Sequence, residues 1–295
     1  MNGNHTEKAS SGAELGENLA SLIHDLSPGQ TQDTMRILCT TITTKCRDED
    51  CLRDCVEVLH LKCLENRDFG RKFAQLCAKI QGFQVGSVNF RGLILDRFQL
   101  DFQARGLTRD KSYAKYLNSI ALLYEVLVEM RMVNGSPVPV LVSAASDYLF
   151  NFIDDFATED SIMECCRQVQ RAGEMIQKQQ PEVFEKFLVA VKTKLIDGQR
   201  LTNVSRACLV CILDFASRDF KPFKINELSV ELYSKKGVPL AAFGFCKKPE
   251  TATVSRRSER VIYQPPHVKH GMTEPSVPLM KDFEQAMTNN FLVDN

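Results

Sequence analysis

The fold class that this sequence predicts is all-α: a HEAT-like α-solenoid of about ten helices in five antiparallel hairpins. Three observations predict it. Apolar residues recur at steps of three and four from Leu15 to Phe215, which is the period of a helix face and not of a strand. Capping and helix-stopping residues interrupt that pattern repeatedly, leaving short connections. One stretch, Tyr113 to Phe156, spells out a complete αα-hairpin. Its first helix places Tyr113, Leu117, Ile120, Tyr124, Leu127 and Arg131 on one face. Leu122, Leu123, Val126 and Met130 widen that face, leaving Lys115, Asn118, Glu125 and Glu129 as a narrow polar seam. A helix this apolar packs on more than one side and belongs in the middle of a stack. Asn134-Gly135 supplies the left-handed residue that closes it, Ser136 caps the next helix, and Pro137 takes its first position. Val138, Leu141, Val142, Ala145, Leu149, Phe152 and Phe156 face back.

The other helices follow the same logic. The first carries Leu15, Leu19, Leu22, Ile23 and Leu26 and stops at Ser27-Pro28-Gly29. Thr31 caps the second, with Met35, Leu38 and Ile42 on one side. The third aligns Cys51, Leu52, Cys55, Val56, Leu59 and Cys63 and fades near Asn66. The fourth carries Phe69, Phe73, Leu76, Cys77 and Ile80 as far as Gly82. Ser87 caps the fifth, with Phe90, Ile94, Phe98 and Phe102 inward and a stop at Gly106. After the central hairpin come Ile162, Cys165, Val169, Gly173 and Ile176, then Phe184, Phe187, Leu188, Val191 and Leu195 behind Pro181. The tenth helix holds Leu209, Ile212, Leu213 and Phe215, and Pro222 bars its continuation.

Four regions result. Residues 1–13 read as a flexible tail, 14–222 as the helical domain, and 223–245 as a strap packing on it. Residues 246–295 read as a mostly disordered basic tail with room for a short helix at 279–292. Within Lys247 to Lys269 six positive charges face two negative ones. The chain has 295 residues, 44% of them apolar, no Trp and a formal net charge of zero. That balance does not suggest a dedicated polyanion binder, although it hides local clusters. Eleven cysteines at irregular spacings, many on helical apolar faces, predict reduced thiols in a cytosolic or nuclear compartment. The N-terminus lacks the basic-then-apolar pattern of a secretory signal. No apolar run approaches the roughly 20 residues that span a bilayer, so no membrane partner is expected.

No catalytic constellation emerges. Cys51, Cys55, His60 and Cys63 invite a zinc reading, but Cys63 lies about 12 Å beyond Cys55 along one straight helix. Cys208-x-x-Cys211 lies inside an apolar helix, not before one, and His267-x-x-His270 lacks further ligands. Asp154-Asp155 and Glu159-Asp160 read as helix-end charges. A Gly-rich phosphate loop, Gly-x-Ser-x-Gly and His-Glu-x-x-His are all missing. The sequence therefore predicts no enzyme, no cofactor and no metal. Two basic clusters remain as candidate partner or RNA sites. Arg91, Arg97, Arg105, Arg109, Lys111 and Lys115 surround one loop, and Lys192, Lys194, Arg200 and Arg206 another. The competing reading is that cations simply favour helix C-termini. Met280, Phe283, Met287 and Phe291 could line one side of a docking helix.

Several runs carry a family resemblance. Phe90-Arg91-Gly92-Leu93-Ile94-Leu95-Asp96-Arg97-Phe98, continuing to Phe102-Gln103-Ala104-Arg105, resembles a helix of MIF4G domains, the middle domain of translation initiation factor 4G. Val133-Asn134-Gly135 with the following helix, Val169-Gln170-Arg171-Ala172-Gly173-Glu174 and Leu213-Asp214-Phe215-Ala216-Ser217-Arg218 resemble the same domain. Within the family the likeness points to the small adaptors that act with poly(A)-binding protein and with the histone stem-loop-binding protein. It covers roughly Leu15 to Ala242. The resemblance implies a translation-regulating scaffold in the cytoplasm, with nuclear passage allowed. Its implied partners are a DEAD-box helicase, initiation factor 3 and, in some members, RNA. The family's extended poly(A)-binding-protein motif is missing from residues 1–20, which argues against direct contact with that protein. The alternatives are an RNA-binding module using the basic loops and tail, or a HEAT-like scaffold outside translation.

Overall fold

The structure, a computed structural model, describes residues 4–26, 31–221 and 226–238. Among these, twelve helices follow one another: α1 (Asn4–His24), α2 (Thr31–Lys45), α3 (Glu49–Glu65), α4 (Arg67–Ile80), α5 (Phe90–Gln103) and α6 (Arg105–Lys111), then α7 (Tyr113–Glu129), α8 (Pro139–Asn151), α9 (Glu159–Gln179), α10 (Pro181–Asp197), α11 (Asn203–Ser217) and α12 (Glu227–Lys235). A hairpin of two-residue strands, β1 (Gln84–Val85) and β2 (Val88–Asn89), joins α4 to α5. The all-α solenoid is therefore borne out. The two helices beyond the expected ten are α6, which too few apolar positions announce, and α12.

Helix α7 sits where its breadth of apolar surface requires. It packs against α3, α4, α5, α6, α8 and α9. Ile120, Tyr124, Val126 and Leu127 are wholly buried, and the Tyr124 hydroxyl donates to the Ala145 carbonyl of α8 at 2.6 Å. Burying each such side chain contributes about 1.5–3 kcal/mol, which only a helix enclosed on several sides can collect. Glu125, expected in the exposed seam, is buried at 4% exposure.

Several boundaries differ from expectation, each for a local reason. Helix α1 begins at Asn4, inside the stretch read as a flexible tail. Gly12 and Gly16, a turn apart, explain its close approach to α3. A Cβ on Gly12 would stand 2.9 Å from Cys51 Cα, and one on Gly16 would stand 2.7 Å from Val58 Cβ. Glycines that look like helix breakers thus serve as a groove for the neighbouring helix. The cap of α5 is Asn89, whose Oδ1 accepts from the Gly92 amide at 2.6 Å. Ser87 instead donates its N–H and hydroxyl to Glu49 Oε1. Gly106 lies within α6 rather than stopping α5.

The turn after α7 contains Gly135 at φ +79°, as its left-handed role predicts. Asn134 Oδ1 accepts from both Ser136 groups, so Ser136 is not the cap of α8. Pro139, not Pro137, takes the first position of that helix. Phe156 falls outside α8 and is 77% exposed. After α11 the chain turns through left-handed Asp219 and Phe220. The Phe220 ring enters the notch at Gly173, where a Cβ would meet it at 2.4 Å, and stacks edge-on to Phe184 at 5.6 Å. Helix α12 then lies on α11, with buried Tyr233 donating to the Asp214 carboxylate at 2.5 Å. The expected strap beyond Val238 and the tail, including Met280, Phe283, Met287 and Phe291, lie outside the described residues.

Candidate partner-binding surface

Two carboxylates are buried beside α7, and four arginines converge on them. Arg67 and Arg71 are one turn apart on α4, and Arg167 and Arg171 are one turn apart on α9, so each pair shares a face. Glu164 accepts from Arg67 Nη1 at 2.5 Å, Arg167 Nη1 at 2.9 Å and Gln168 Nε2 at 2.5 Å. Glu125 accepts from Arg171, and Arg71 Nε stands 3.6 Å away. The carboxylates are nearly inaccessible, whereas the four guanidinium side chains keep 22% to 53% of their surface exposed. Burial holds the Glu125 carboxyl above its ordinary value, with Arg171 and Arg71 offsetting only part of that rise.

This arrangement has a chemical consequence. A guanidinium has five N–H donors in a fixed plane. The buried carboxylates hold one edge of each arginine and leave the remainder facing solvent. Two negative charges against four positive ones leave a surplus on this face. Between Arg67 and Arg167 a shallow pocket of about 260 Å³ opens, floored by Tyr113, Leu117 and Asn118 and flanked by Asp160. Such a strip can hold carboxylates or phosphates in bidentate fashion.

The basic residues singled out from the sequence have a different fate. Arg97 pairs with Glu57 at 2.7 Å. Arg105 lies over the Phe102 ring and donates to the Phe102 carbonyl. Arg109 forms a two-pronged pair with Asp154 at 2.6 and 3.0 Å, with Tyr116 and Phe156 rings around it. Arg91 reaches Met132 Sδ at 3.9 Å. Arg206 donates to the Leu195 and Gly198 carbonyls at the end of α10, and Lys194 to the Asp154 carbonyl. Of these, Arg105 and Arg206 satisfy helix-end carbonyls, as cations at helix C-termini do. Lys111, Lys115, Lys192 and Arg200 stay exposed, Lys115 at 3.9 Å from Glu65. The two clusters do meet, since Arg109 and Lys194 both hold Asp154. Arg67, Arg71, Arg167 and Arg171 were missed. Their i,i+4 spacing was visible, but the carboxylates they share belong to other turns or other helices.

The ten described cysteines are free thiols, nine of them buried. His60 pairs with Asp101 at 2.9 Å. Among the described residues no group of three or more histidines, cysteines or carboxylates is placed to hold a metal ion. No described helix is long and apolar enough to cross a membrane.

No family model matches the chain. Curated relatives do. The chain is 26% identical over 175 residues to a CBP80/20-dependent translation initiation factor of Xenopus tropicalis. That match covers 59% of this chain and 30% of the relative, so the chain spans less than a third of that protein. It is 23% identical over 163 residues to an MIF4G domain-containing protein of Homo sapiens, covering 54% of this chain and 73% of that one. An MIF4G domain-containing protein A of Danio rerio is 27% identical over 152 residues, covering 50% and 69%. The resemblance to MIF4G-domain proteins read from the sequence is thereby borne out.

Proposed function

We propose, from this likeness to MIF4G-domain proteins, that the chain is a non-catalytic adaptor of mRNA translation working in the cytoplasm. It binds an initiation factor, either a DEAD-box helicase or initiation factor 3, through the outside of its helical stack. The observation that carries the reading is the set of relatives, one of them named as a translation initiation factor, on an all-α solenoid. The arginine strip of α4 and α9 is the contact we assign, because preorganised guanidiniums suit the acidic patches of a partner surface. Capture of the purified helicase or of initiation factor 3 by the full-length protein tests this. Arg67→Gln together with Arg71→Gln should lower capture at least fivefold. Wild-type protein that retains neither factor sinks the proposal.

A second reading is favoured by the same four guanidiniums: single-stranded RNA held by its phosphates. Four such contacts at about −0.7 each would give a salt slope near −2.8 on a log–log plot. A flat salt response removes RNA from the strip.

A further inference from the structure

A different surface lies between the end of α8, the loop after it and α10. It is an open groove of about 1000 Å³. Ile153, Val189 and Ala190 form its apolar floor, and Val189 is 57% exposed. Ile196, next along α10, is 82% exposed. Asp154 and Lys194 also line it, but Asp154 is held by Arg109 and Lys194 by the Asp154 carbonyl. Of the other lining charges, Asp155, Glu185 and Asp197 outnumber Lys186 three to one. An occupant matched to this groove carries apolar side chains for the floor and basic side chains for the carboxylates around it.

We propose that residues 256–263 of this same chain, Arg256-Arg257-Ser258-Glu259-Arg260-Val261-Ile262-Tyr263, dock in the groove. Three arginines against one glutamate match the surplus of carboxylates, and Val261-Ile262-Tyr263 supplies apolar side chains for the floor. The other apolar segment, Met280 to Phe291, carries Lys281 against Asp282 and Glu284 and so shares the sign of the groove. The exit point of the described chain supports the assignment. Gly237 lies against Val204 in the first turn of α11, 3.9 Å from a Cβ position to Val204 Cγ2. Arg206, in that same region of α11, donates to the carbonyl of Gly198, which lines the groove. The chain therefore leaves beside the groove's α10 end. The 18 residues from Val238 to Arg256 reach up to about 60 Å when extended. A tether of this length gives an effective concentration near the millimolar range, so even a weak fit is occupied. A partner with the same basic-apolar chemistry would have to displace the segment.

The test is limited trypsin digestion of the full-length protein, following cleavage after Arg260 and after Lys269 by mass spectrometry. Rates are normalised to the same bonds in a synthetic peptide of residues 250–275. The Arg260 bond should be cut at least tenfold more slowly than the Lys269 bond. Val189→Asp, on the exposed floor, should make the two rates equal. Ile262→Asp, which leaves the helical domain untouched, should do the same. Equal rates in the wild type overturn the proposal. So does protection that survives Val189→Asp, which places the segment elsewhere, and protection that grows with protein concentration, which places it on a second copy.

Discussion

Replacing Glu164 by Ala probes the buried seam directly. The carboxylate side chain is 1% exposed and accepts from Arg67, Arg167 and Gln168. Removing one partner of a buried charge network costs about 3–5 kcal/mol when the other charge stays buried. Here the arginine side chains are 35% and 27% exposed, so they regain water and the loss falls to roughly 2–3 kcal/mol. At about 2–4 °C per kcal/mol for a domain of this size, the melting temperature should fall by about 5–10 °C. Glu164→Gln keeps one acceptor but turns an amide toward donors, and should lose about half as much. Thermal melts and urea titrations of Glu164→Ala, Arg167→Ala and the double variant close a cycle whose coupling should reach about 1 kcal/mol. The loss should persist in about 1 M salt, because buried pairs are weakly screened. A melt within about 1 °C of wild type, or a loss abolished by salt, would refute the idea that the carboxylate organises the strip.

Three further outcomes are expected. Leu127→Asp, at a wholly buried position of α7, should abolish cooperative unfolding, since several kcal/mol is set against a total of about 5–15; a normal calorimetric transition would contradict the central place of that helix. Gly12→Ala, which in an ordinary helix interior gains about 0.5–1 kcal/mol, should here cost about 1–2 kcal/mol because backbone atoms of α3 stand 2.9 Å from the new Cβ. A raised urea midpoint would disprove the close approach. Asp147 is pushed up by burial to about 6 despite nearby Arg105. Between its unfolded value and 6 the folded state binds more protons, so stability falls as pH rises through that window. Asp147→Asn should therefore flatten the slope between pH 4 and 6 and gain up to about 3 kcal/mol above pH 7. An unchanged slope by denaturant titration would rule this out.

What the sequence encodes legibly and what it does not divides along the range of the interaction involved. The faces of α3, α4, α7 and α9 were legible because helix period and side-chain burial are local correlations. Ile120, Tyr124 and Leu127 lie inward wherever the helix is placed. Gly12 shows the other side of that rule. Its intrinsic preference argues against a helix, and only the closeness of α3 makes the missing side chain useful. The basic loops could be located in the sequence, but their counter-ions could not. Nothing near Arg109 in the chain announces Asp154, and nothing near Arg206 announces that the end of α10 needs its donors.

By itself, then, the order of residues determined an all-α stack, the identity of its central helix and a likeness to MIF4G-domain proteins. Tertiary structure alone decided which cations are spent and which face outward. Periodicity is repeated every turn and survives any single exception. A pairing such as Arg67 with Glu164 joins positions 97 apart, and it exists only once three helices have come to lie side by side.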